Sequence, residues 1–258
     1  MTKVVSILSG KGGTGKTTVS INLSLALKKL GYKVILLDGN VSMPHLSTYL
    51  GINSYKYSLN DFLSGKDFDR EAFVNYNGIK VLISSPNLED LSGIDLKRMK
   101  KIVDNIKNLE KPDFIIIDGP PGLGREVISV IEVSDEIIIV VQPFEQHYID
   151  AIKIKELASS LGKKNLKVIL NNGFWVSEKK IEEVEKIINL EVLGFIPHNK
   201  SLMYSLLSRI PIFENNPNSI VSEIFTEIAC KISKEDYKES LKLKFYKKMK
   251  DLFSMVFI

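Results

Sequence analysis

Short apolar runs alternate with amphipathic stretches along most of this 258-residue chain. The runs are Val4–Leu8, Val34–Leu37, Val81–Ile83, Phe114–Ile117, Ile137–Val141, Leu166–Leu170 and Val192–Ile196. Runs that are mostly apolar, without strict alternation, are typical of strands buried on both faces of a parallel sheet. The segments 17–29, 93–107, 147–161 and 178–189 have helical spacing, and Gly31 and Gly162 are candidate helix ends. The pattern predicts an α/β fold with a single doubly wound, mostly parallel sheet.

Composition narrows the class of protein. Apolar residues make up 44% of the chain, which is enough for a proper core. The only cysteine, Cys230, excludes a disulfide framework and a self-contained CxxC metal site, and it fits a reducing cytosol. Met1 leads directly into a strand-like run without a signal-peptide pattern, and no apolar stretch approaches the ~20 residues of a spanning helix. We therefore expect a cytoplasmic protein.

Charge is distributed unevenly. Residues 231–258 contain eight lysines and four acids, while the rest of the chain carries 27 basic and 27 acidic residues. The shift in composition near residue 233 divides the chain into a domain over residues 1–232 and a basic tail over residues 233–258. A neutral body argues against nucleic acid as a partner, because nucleic-acid proteins more often spread basic charge over a face of the body.

The strongest chemical signal is a glycine-rich loop. Residues 10–17 read GKGGTGKT and match G-x-x-x-x-G-K-[ST] between a predicted strand and a predicted helix, the context of a phosphate-binding loop. Lys16 is expected to reach the β- and γ-phosphates, and the Thr17 hydroxyl to bind Mg²⁺. A dinucleotide fingerprint does not fit, because its third glycine would fall at Thr18. The candidate phosphate-site residues are Gly10, Lys11, Gly12, Gly13, Thr14, Gly15, Lys16, Thr17 and Thr18.

Two of the predicted strands end in a carboxylate. Asp118 follows Phe114–Ile117, and Asp38 follows Val34–Leu37. Since parallel strands present their carboxyl ends at one edge of a sheet, both side chains are expected beside the glycine loop. Together with Thr17 they form a candidate Mg²⁺ site.

At this point the sequence resembles a known family. KGGTGKTT is similar to the "deviant" Walker A motif of the MinD/ParA ATPases, and IIIDGPPGLG at 115–124 resembles their Walker B and switch II. LLDGN at 36–40 occupies the place of switch I. VILNN and VLGFIPHNKSL resemble the segments in which Asn171 would read adenine and Pro197 would pack near it. The resemblance covers about residues 1–232 and is closest to the MinD-like ATPases.

The resemblance implies an ATP- and Mg²⁺-dependent ATPase that dimerises around its nucleotide. In this family the early lysine of the loop reaches the phosphates bound by the partner subunit. Lys11 would then act in trans, much as an arginine finger does. With Lys16 and Asn40 it is a candidate catalytic residue. The alternative is that Lys11 is a solvated surface lysine with no part in ATP turnover or dimerisation.

The chain departs from the family pattern in two places. Switch I usually carries Asp-x-Asp, whereas this chain has Asp38-Gly39-Asn40. An amide orients water but accepts no proton, so the sequence predicts slow hydrolysis, with a non-hydrolysing ATP-binding regulator as the alternative. Asn172 stands where an arginine commonly follows the adenine-reading asparagine.

The tail has an amphipathic pattern. On a helix over residues 241–258, one face carries Leu241, Phe245, Met249, Leu252, Phe253 and Val256. Lys244, Lys247 and Lys250 fall around the opposite side, with Lys242 and Lys248 near the apolar edge. The pattern predicts a helix lying in an anionic membrane surface at the inner face of the cell membrane, as the resemblance also implies. The alternative is a final helix docked on the body or on a partner.

These observations leave several functions open. The favoured prediction is a dimerising ATPase switch that binds membrane reversibly and positions or regulates a partner assembly through an unknown activator or cargo protein. A DNA-partitioning ATPase is the first alternative. An iron–sulfur carrier would need paired cysteines that Cys230 alone does not supply, and a metabolic synthetase would not be expected to carry a basic amphipathic tail.

Overall fold

Eight strands form one sheet with helices on both faces. A computed structural model describes residues 1–173, 176–241, 243–247 and 249. The strands are β1 Lys3–Ser9, β2 Val34–Asp38, β3 Val74–Tyr76, β4 Ile79–Leu82, β5 Phe114–Pro121, β6 Glu136–Val141, β7 Leu166–Gly173 and β8 Val192–Pro197. They lie in the order β3-β4-β2-β5-β1-β6-β7-β8, and all neighbours are parallel except β3 and β4. The predicted doubly wound, mostly parallel sheet is confirmed.

The helices divide into two layers. They are α1 Lys16–Lys29, α2 Leu46–Leu50, α3 Leu59–Leu63, α4 Met99–Glu110, α5 Arg125–Val133, α6 Glu145–Ser160, α7 Glu178–Ile188, α8 Lys200–Ser208, α9 Ile212–Asn215 and α10 Ile220–Ser233. Apolar side chains of α3 to α7 form one core on the sheet, and those of α1, α2 and α8 to α10 form the other. The apolar runs of the central strands are buried because both faces are covered.

Several elements differ from the sequence prediction, and α2, α3, α5, α8 and α9 lie outside the segments predicted to be helical. The segment 93–107 begins as a short 3-10 helix, Leu96–Arg98, and becomes α-helical only at Met99. Strand β3 was not predicted. It pairs antiparallel with β4 through the two-residue turn Asn77-Gly78, whose φ angles of 46° and 82° suit a type I′ hairpin.

Side chains protect the edge strand β8. Glu185 accepts a hydrogen bond from the Val192 N–H at 2.7 Å, and the Lys231 ammonium donates to the Leu193 carbonyl at 2.7 Å. These contacts satisfy strand groups that would otherwise lie open to another chain. A cavity of about 310 Å³ lies beside this edge, between α7, α10 and the start of the tail.

The described part of the tail is helical at residues 241, 243–247 and 249. Leu243 is fully buried in the core on the α1 side, and Lys247 pairs with Glu227 and Glu239 at 2.9 and 2.7 Å. Leu241 and Phe245 are exposed. The predicted apolar face is therefore open to solvent at its start, while Lys247 on the opposite side pairs with two acids of the protein. Leu252, Phe253, Val256, Lys242, Lys248 and Lys250 lie outside the described residues. None of the helices in the described ranges has the length and hydropathy needed to cross a bilayer.

Candidate nucleotide site

The glycine loop joins β1 to α1 at the carboxyl edge of the sheet, next to the central strands. Gly13 and Gly15 have φ angles of 76° and 96°, a conformation that side chains disfavour. At two positions of the loop, a side chain would also clash with a neighbouring residue. A Cβ on Gly10 would lie 2.2 Å from the Cβ of Asp150, and a Cβ on Gly15 would lie 2.2 Å from the Asn171 amide nitrogen. The loop backbone is therefore held in one shape by its neighbours.

Lys16 points into the protein at the first turn of α1. Its ammonium donates to the Ser9 hydroxyl at 2.9 Å, and that hydroxyl donates to the Lys11 carbonyl at 2.6 Å. Burial lowers the pKa of Lys16, and the nearby Asp118 carboxylate partly offsets this effect. The arrangement places a largely desolvated cation directly beneath the loop.

Thr17, Asp118 and Asp38 come together as the sequence predicted. The Thr17 hydroxyl donates to Asp118 at 2.7 Å, and the Ser20 hydroxyl, one turn further along α1, donates to the other carboxylate oxygen at 2.9 Å. Asp38 and Asp118 are direct neighbours across β2 and β5, and both are buried. Asp38 accepts from the N–H groups of Asn40 and Leu46 at 3.1 and 3.3 Å.

The two carboxylates suit a divalent cation. Burial raises the pKa of Asp38 well above its usual range, and the neighbouring Asp118 raises it further. Burial also raises the pKa of Asp118, opposed chiefly by the Thr17 hydrogen bond and the Lys16 charge. Two adjacent buried acids are unfavourable when both are ionised, and a bound cation removes that cost. A hydroxyl with two carboxylates is an oxygen donor set of the kind that Mg²⁺ prefers.

A second cavity, of about 250 Å³, lies beside the loop. Asn171 is buried and donates from its amide nitrogen to the Thr14 carbonyl at 2.7 Å, which leaves its amide oxygen as an acceptor. The cavity is lined by Gly13, Gly15, Thr18, Gln142, Asn171, Asn172, His198, Asn199, Leu202, Met203 and Leu206. Pro197 is buried at the end of β8, and the two residues after it line the cavity. His198 Nδ1 lies 2.8 Å from the Asn172 amide oxygen.

Lys11 and Asn40 occupy the surface around the loop. The Lys11 ammonium lies 3.4 Å from the carboxylate of Asp150 on α6, and about half of the lysine side chain is exposed. The Asn40 amide donates to the Met43 carbonyl within its own loop. Exposed apolar side chains follow the ends of β2, β5 and β6, namely Met43, Leu123, Phe144 and Ile149. The carboxyl edge thus combines a cation with apolar groups open to a partner.

Several residues of this region were missed in the sequence. Ser9 and Ser20 carried a local signal, because they flank the loop on the strand and on the helix face of Thr17. Gln142 and His198 follow the ends of β6 and β8, the same kind of signal that located Asp38 and Asp118, whereas Asp150 on α6 carried none. Glu126 of α5 also lies here, and its carboxylate accepts from the N–H of Val41 at 3.2 Å.

A doubly wound sheet with a phosphate-binding loop after its central strand and two acids at the same edge defines a P-loop NTPase. Comparison with known proteins agrees. The ParA family model, described as NUBPL iron-transfer P-loop NTPase, matches residues 1–233. The chain belongs to the ParA family of P-loop NTPases.

Curated relatives match over nearly the whole chain. An uncharacterized ATP-binding protein of Methanocaldococcus jannaschii is 33% identical over 98% of this chain and 98% of its own length. The septum site-determining protein MinD of Thermotoga maritima is 30% identical over 91% of this chain and 89% of its own length. The resemblance to MinD/ParA ATPases is therefore confirmed.

Solved structures give the same result. MinD of Pyrococcus horikoshii, complexed with Mg-ADP, has a TM-score of 0.83 and 32% identity, covering 91% of this chain and 97% of that one. The MinC:MinD cell division complex of Aquifex aeolicus has a TM-score of 0.79 and 28% identity, covering 92% of this chain and 98% of that one.

The words "iron-transfer" belong to the family model's description. In this chain the single Cys230 is buried on α10. The described ranges contain no cluster of three or more His, Cys, Asp or Glu side chains that could hold a metal ion.

Proposed function

We propose that this protein is an ATP-dependent switch that dimerises around ATP and Mg²⁺, binds a membrane surface reversibly and regulates a partner assembly. The observation that carries the proposal is the joint arrangement of the loop, Lys16, the Thr17–Asp118 pair and Asn171 at one edge of the sheet.

ATP is the nucleotide that the cavity favours. The Asn171 amide oxygen is left to accept a hydrogen bond, because the amide nitrogen is used by Thr14. An acceptor suits the exocyclic amine of adenine and opposes the carbonyl of guanine. Loop N–H groups and Lys16 bind the phosphates, and this step requires the lysine to leave the Ser9 hydroxyl.

Thr17, Asp118 and Asp38 would hold Mg²⁺, directly or through water. When bound, the ion neutralises charge on the β- and γ-phosphates. Lys16 adds a fixed cation in the same subunit, and Lys11 adds another from the partner subunit. Asn40 orients the attacking water without accepting its proton. Hydrolysis is therefore slow and open to acceleration by a partner protein.

Dimerisation through the carboxyl edge is supported by its surface. Lys11 is half exposed there, and Met43, Leu123, Phe144 and Ile149 present apolar area around it. Exposed apolar groups around a charged side chain are typical of an interface. The proposed contact of Lys11 with the nucleotide of the partner subunit would make this interface depend on ATP. The MinC:MinD complex of the related Aquifex protein supports a partner protein for this chain as well.

Membrane binding rests on the tail. Leu241 and Phe245 are exposed on one face of the tail helix, while Leu243 fixes the helix to the body. Each lysine near an anionic surface contributes about 1 kcal/mol. One such helix binds marginally, and two in a dimer gain by effective concentration. ATP would thus place the protein at the inner face of the cell membrane and ADP would return it to the cytoplasm.

Co-sedimentation with anionic liposomes tests the proposal. The full chain is compared in ATP-Mg²⁺ and ADP-Mg²⁺, with a chain truncated before Leu241 as control. Pelleting that needs both ATP and the tail supports the switch. Equal pelleting in both nucleotides removes the switch and keeps the tail as an anchor. No pelleting in either makes the tail a docking element, and DNA binding would then be tested next.

A further inference from the structure

One carboxylate ties together the two loops that follow β2 and β5. Glu126, in the first turn of α5, accepts from the N–H of Val41 at 3.2 Å, from the N–H of Ser42 at 3.4 Å and from the Ser42 hydroxyl. Helix α5 begins directly after residues 122–124, the loop after β5. Val41 and Ser42 belong to residues 39–45, the loop after β2.

Among the described residues, the two loops share few other hydrogen bonds. The Gly39 N–H donates to the Asp118 carbonyl at 2.9 Å, which joins the loops at their base. Further out, the Asn40 side chain donates its hydrogen bond to Met43 of its own loop. The loop after β5 is in turn joined to the end of β1, because the Gly122 N–H donates to the Ser9 carbonyl at 2.9 Å. Glu126 therefore connects the glycine loop, through α5, to the residues next to Asn40.

We infer that Glu126 is a positioning residue that couples the loop after β5 to the loop after β2, so that a nucleotide-dependent change at Gly122–Gly124 changes the position of Asn40. The inference rests on the proposed ATPase function. Glu126 itself contacts no loop N–H of residues 10–17, so it acts through Val41 and Ser42.

The chemistry of the contact predicts how variants behave. Hydrogen bonds from N–H groups to an ionised carboxylate are stronger than neutral ones. Val41 is buried, so its N–H loses an acceptor in Glu126→Ala and the loop must rearrange to satisfy it. Glu126→Gln keeps an oxygen for the N–H groups and presents an amide that can donate to the Ser42 hydroxyl. The glutamine variant should therefore retain most of the coupling.

A fluorescent probe on the loop after β2 measures the coupling directly. Met43 is exposed and is labelled through Met43→Cys in a Cys230→Ser background, at protein concentrations below the dimer dissociation constant, because Met43 also belongs to the proposed dimer interface. ATP-Mg²⁺ or ADP-Mg²⁺ is added to the parent, to Glu126→Ala, to Glu126→Gln and to Glu132→Ala. Glu132 is an exposed carboxylate on the same helix whose side chain makes no ion pair with the described residues.

We expect the parent and Glu132→Ala to give different emission in ATP and ADP, Glu126→Gln to retain more than half of the difference, and Glu126→Ala to lose it. In Glu126→Ala the affinity for ATP should stay within about twofold, while kcat falls by about tenfold, because the loop that carries Asn40 loses its hydrogen bonds to α5. If Glu126→Ala does not fold, Ser42→Ala replaces it in the test. This variant removes one hydrogen bond to Glu126 from the opposite side and should give an intermediate response. A full ATP-dependent response in Glu126→Ala overturns the inference. Failure of the parent to bind ATP would instead overturn the proposed function.

Discussion

Lys11 is paired with Asp150 in the single chain, with 3.4 Å between the ammonium and the carboxylate. The lysine proposed to act on a partner subunit is therefore held by its own helix α6 before any partner arrives. In the proposed dimer, Lys11 would leave this pair to reach the nucleotide of the partner subunit. An exposed ion pair of this kind contributes up to about 1 kcal/mol.

Asp150→Asn should strengthen ATP-dependent dimerisation. The amide preserves the shape beside Gly10 but no longer holds the Lys11 charge, and each dimer breaks two such pairs. We expect the dimer dissociation constant in ATP-Mg²⁺ to fall by a few-fold to about tenfold. Analytical ultracentrifugation in ATP and in ADP measures it. Weaker dimerisation would mean that Asp150 contributes to the interface itself.

Gly10→Ala should destabilise the free protein, whereas Gly12→Ala should not. A Cβ at Gly10 meets the Cβ of Asp150 at 2.2 Å and its backbone Cα at 3.2 Å, while a Cβ at Gly12 meets nothing within 4 Å. Overpacking of this kind costs about 1–3 kcal/mol. Thermal unfolding without nucleotide should show a Tm lower by several degrees for Gly10→Ala only. Equal Tm values would mean that α6 moves away freely.

The predictable parts of this protein are those with a local signal. The apolar runs predicted seven of the eight strands of the sheet, and the GKGGTGKT pattern predicted the positions of Lys16 and Thr17. Strand β3 was missed because three residues are too few to show a period. The Asn77-Gly78 turn before β4 was a usable sign of a hairpin.

The contacts between distant segments had no such signal. Asp150 reaches Lys11, and Glu126 reaches Ser42, only because α6 and α5 pack against the sheet in a given register. The sequence placed Lys247 on the side of the tail helix opposite its apolar face, but helical spacing does not locate the acids on a neighbouring helix. In the structure, the Lys247 ammonium forms an ion pair with Glu227 on α10.

Asn40→Asp should raise ATP turnover. A carboxylate at this position accepts the proton of the attacking water, although it gives up the hydrogen bond to the Met43 carbonyl. Because phosphoryl transfer depends mainly on positioning, we expect a gain of roughly tenfold or less. Phosphate release at saturating ATP-Mg²⁺ measures it, with Asn40→Ala as control. A rate that is unchanged or lower in Asn40→Asp would contradict the proposed role of this residue.

Two leucines of the tail, Leu241 and Leu243, should separate docking from membrane binding. Leu243 is fully buried against the body and Leu241 is exposed. Leu243→Ala removes a buried side chain at a cost of about 2–5 kcal/mol, so the tail should open locally and amide hydrogen exchange should rise at residues 240–247. Leu241→Ala should leave exchange unchanged.

The same pair is then compared on anionic liposomes in ATP-Mg²⁺. Leu241→Ala should pellet less than the parent, because its side chain belongs to the face that would enter the lipid. Leu243→Ala keeps that face and should still pellet. If Leu241→Ala pellets as the parent does while Leu243→Ala does not, the docked side of the helix is the one that meets the membrane, and the proposed orientation of the tail is wrong.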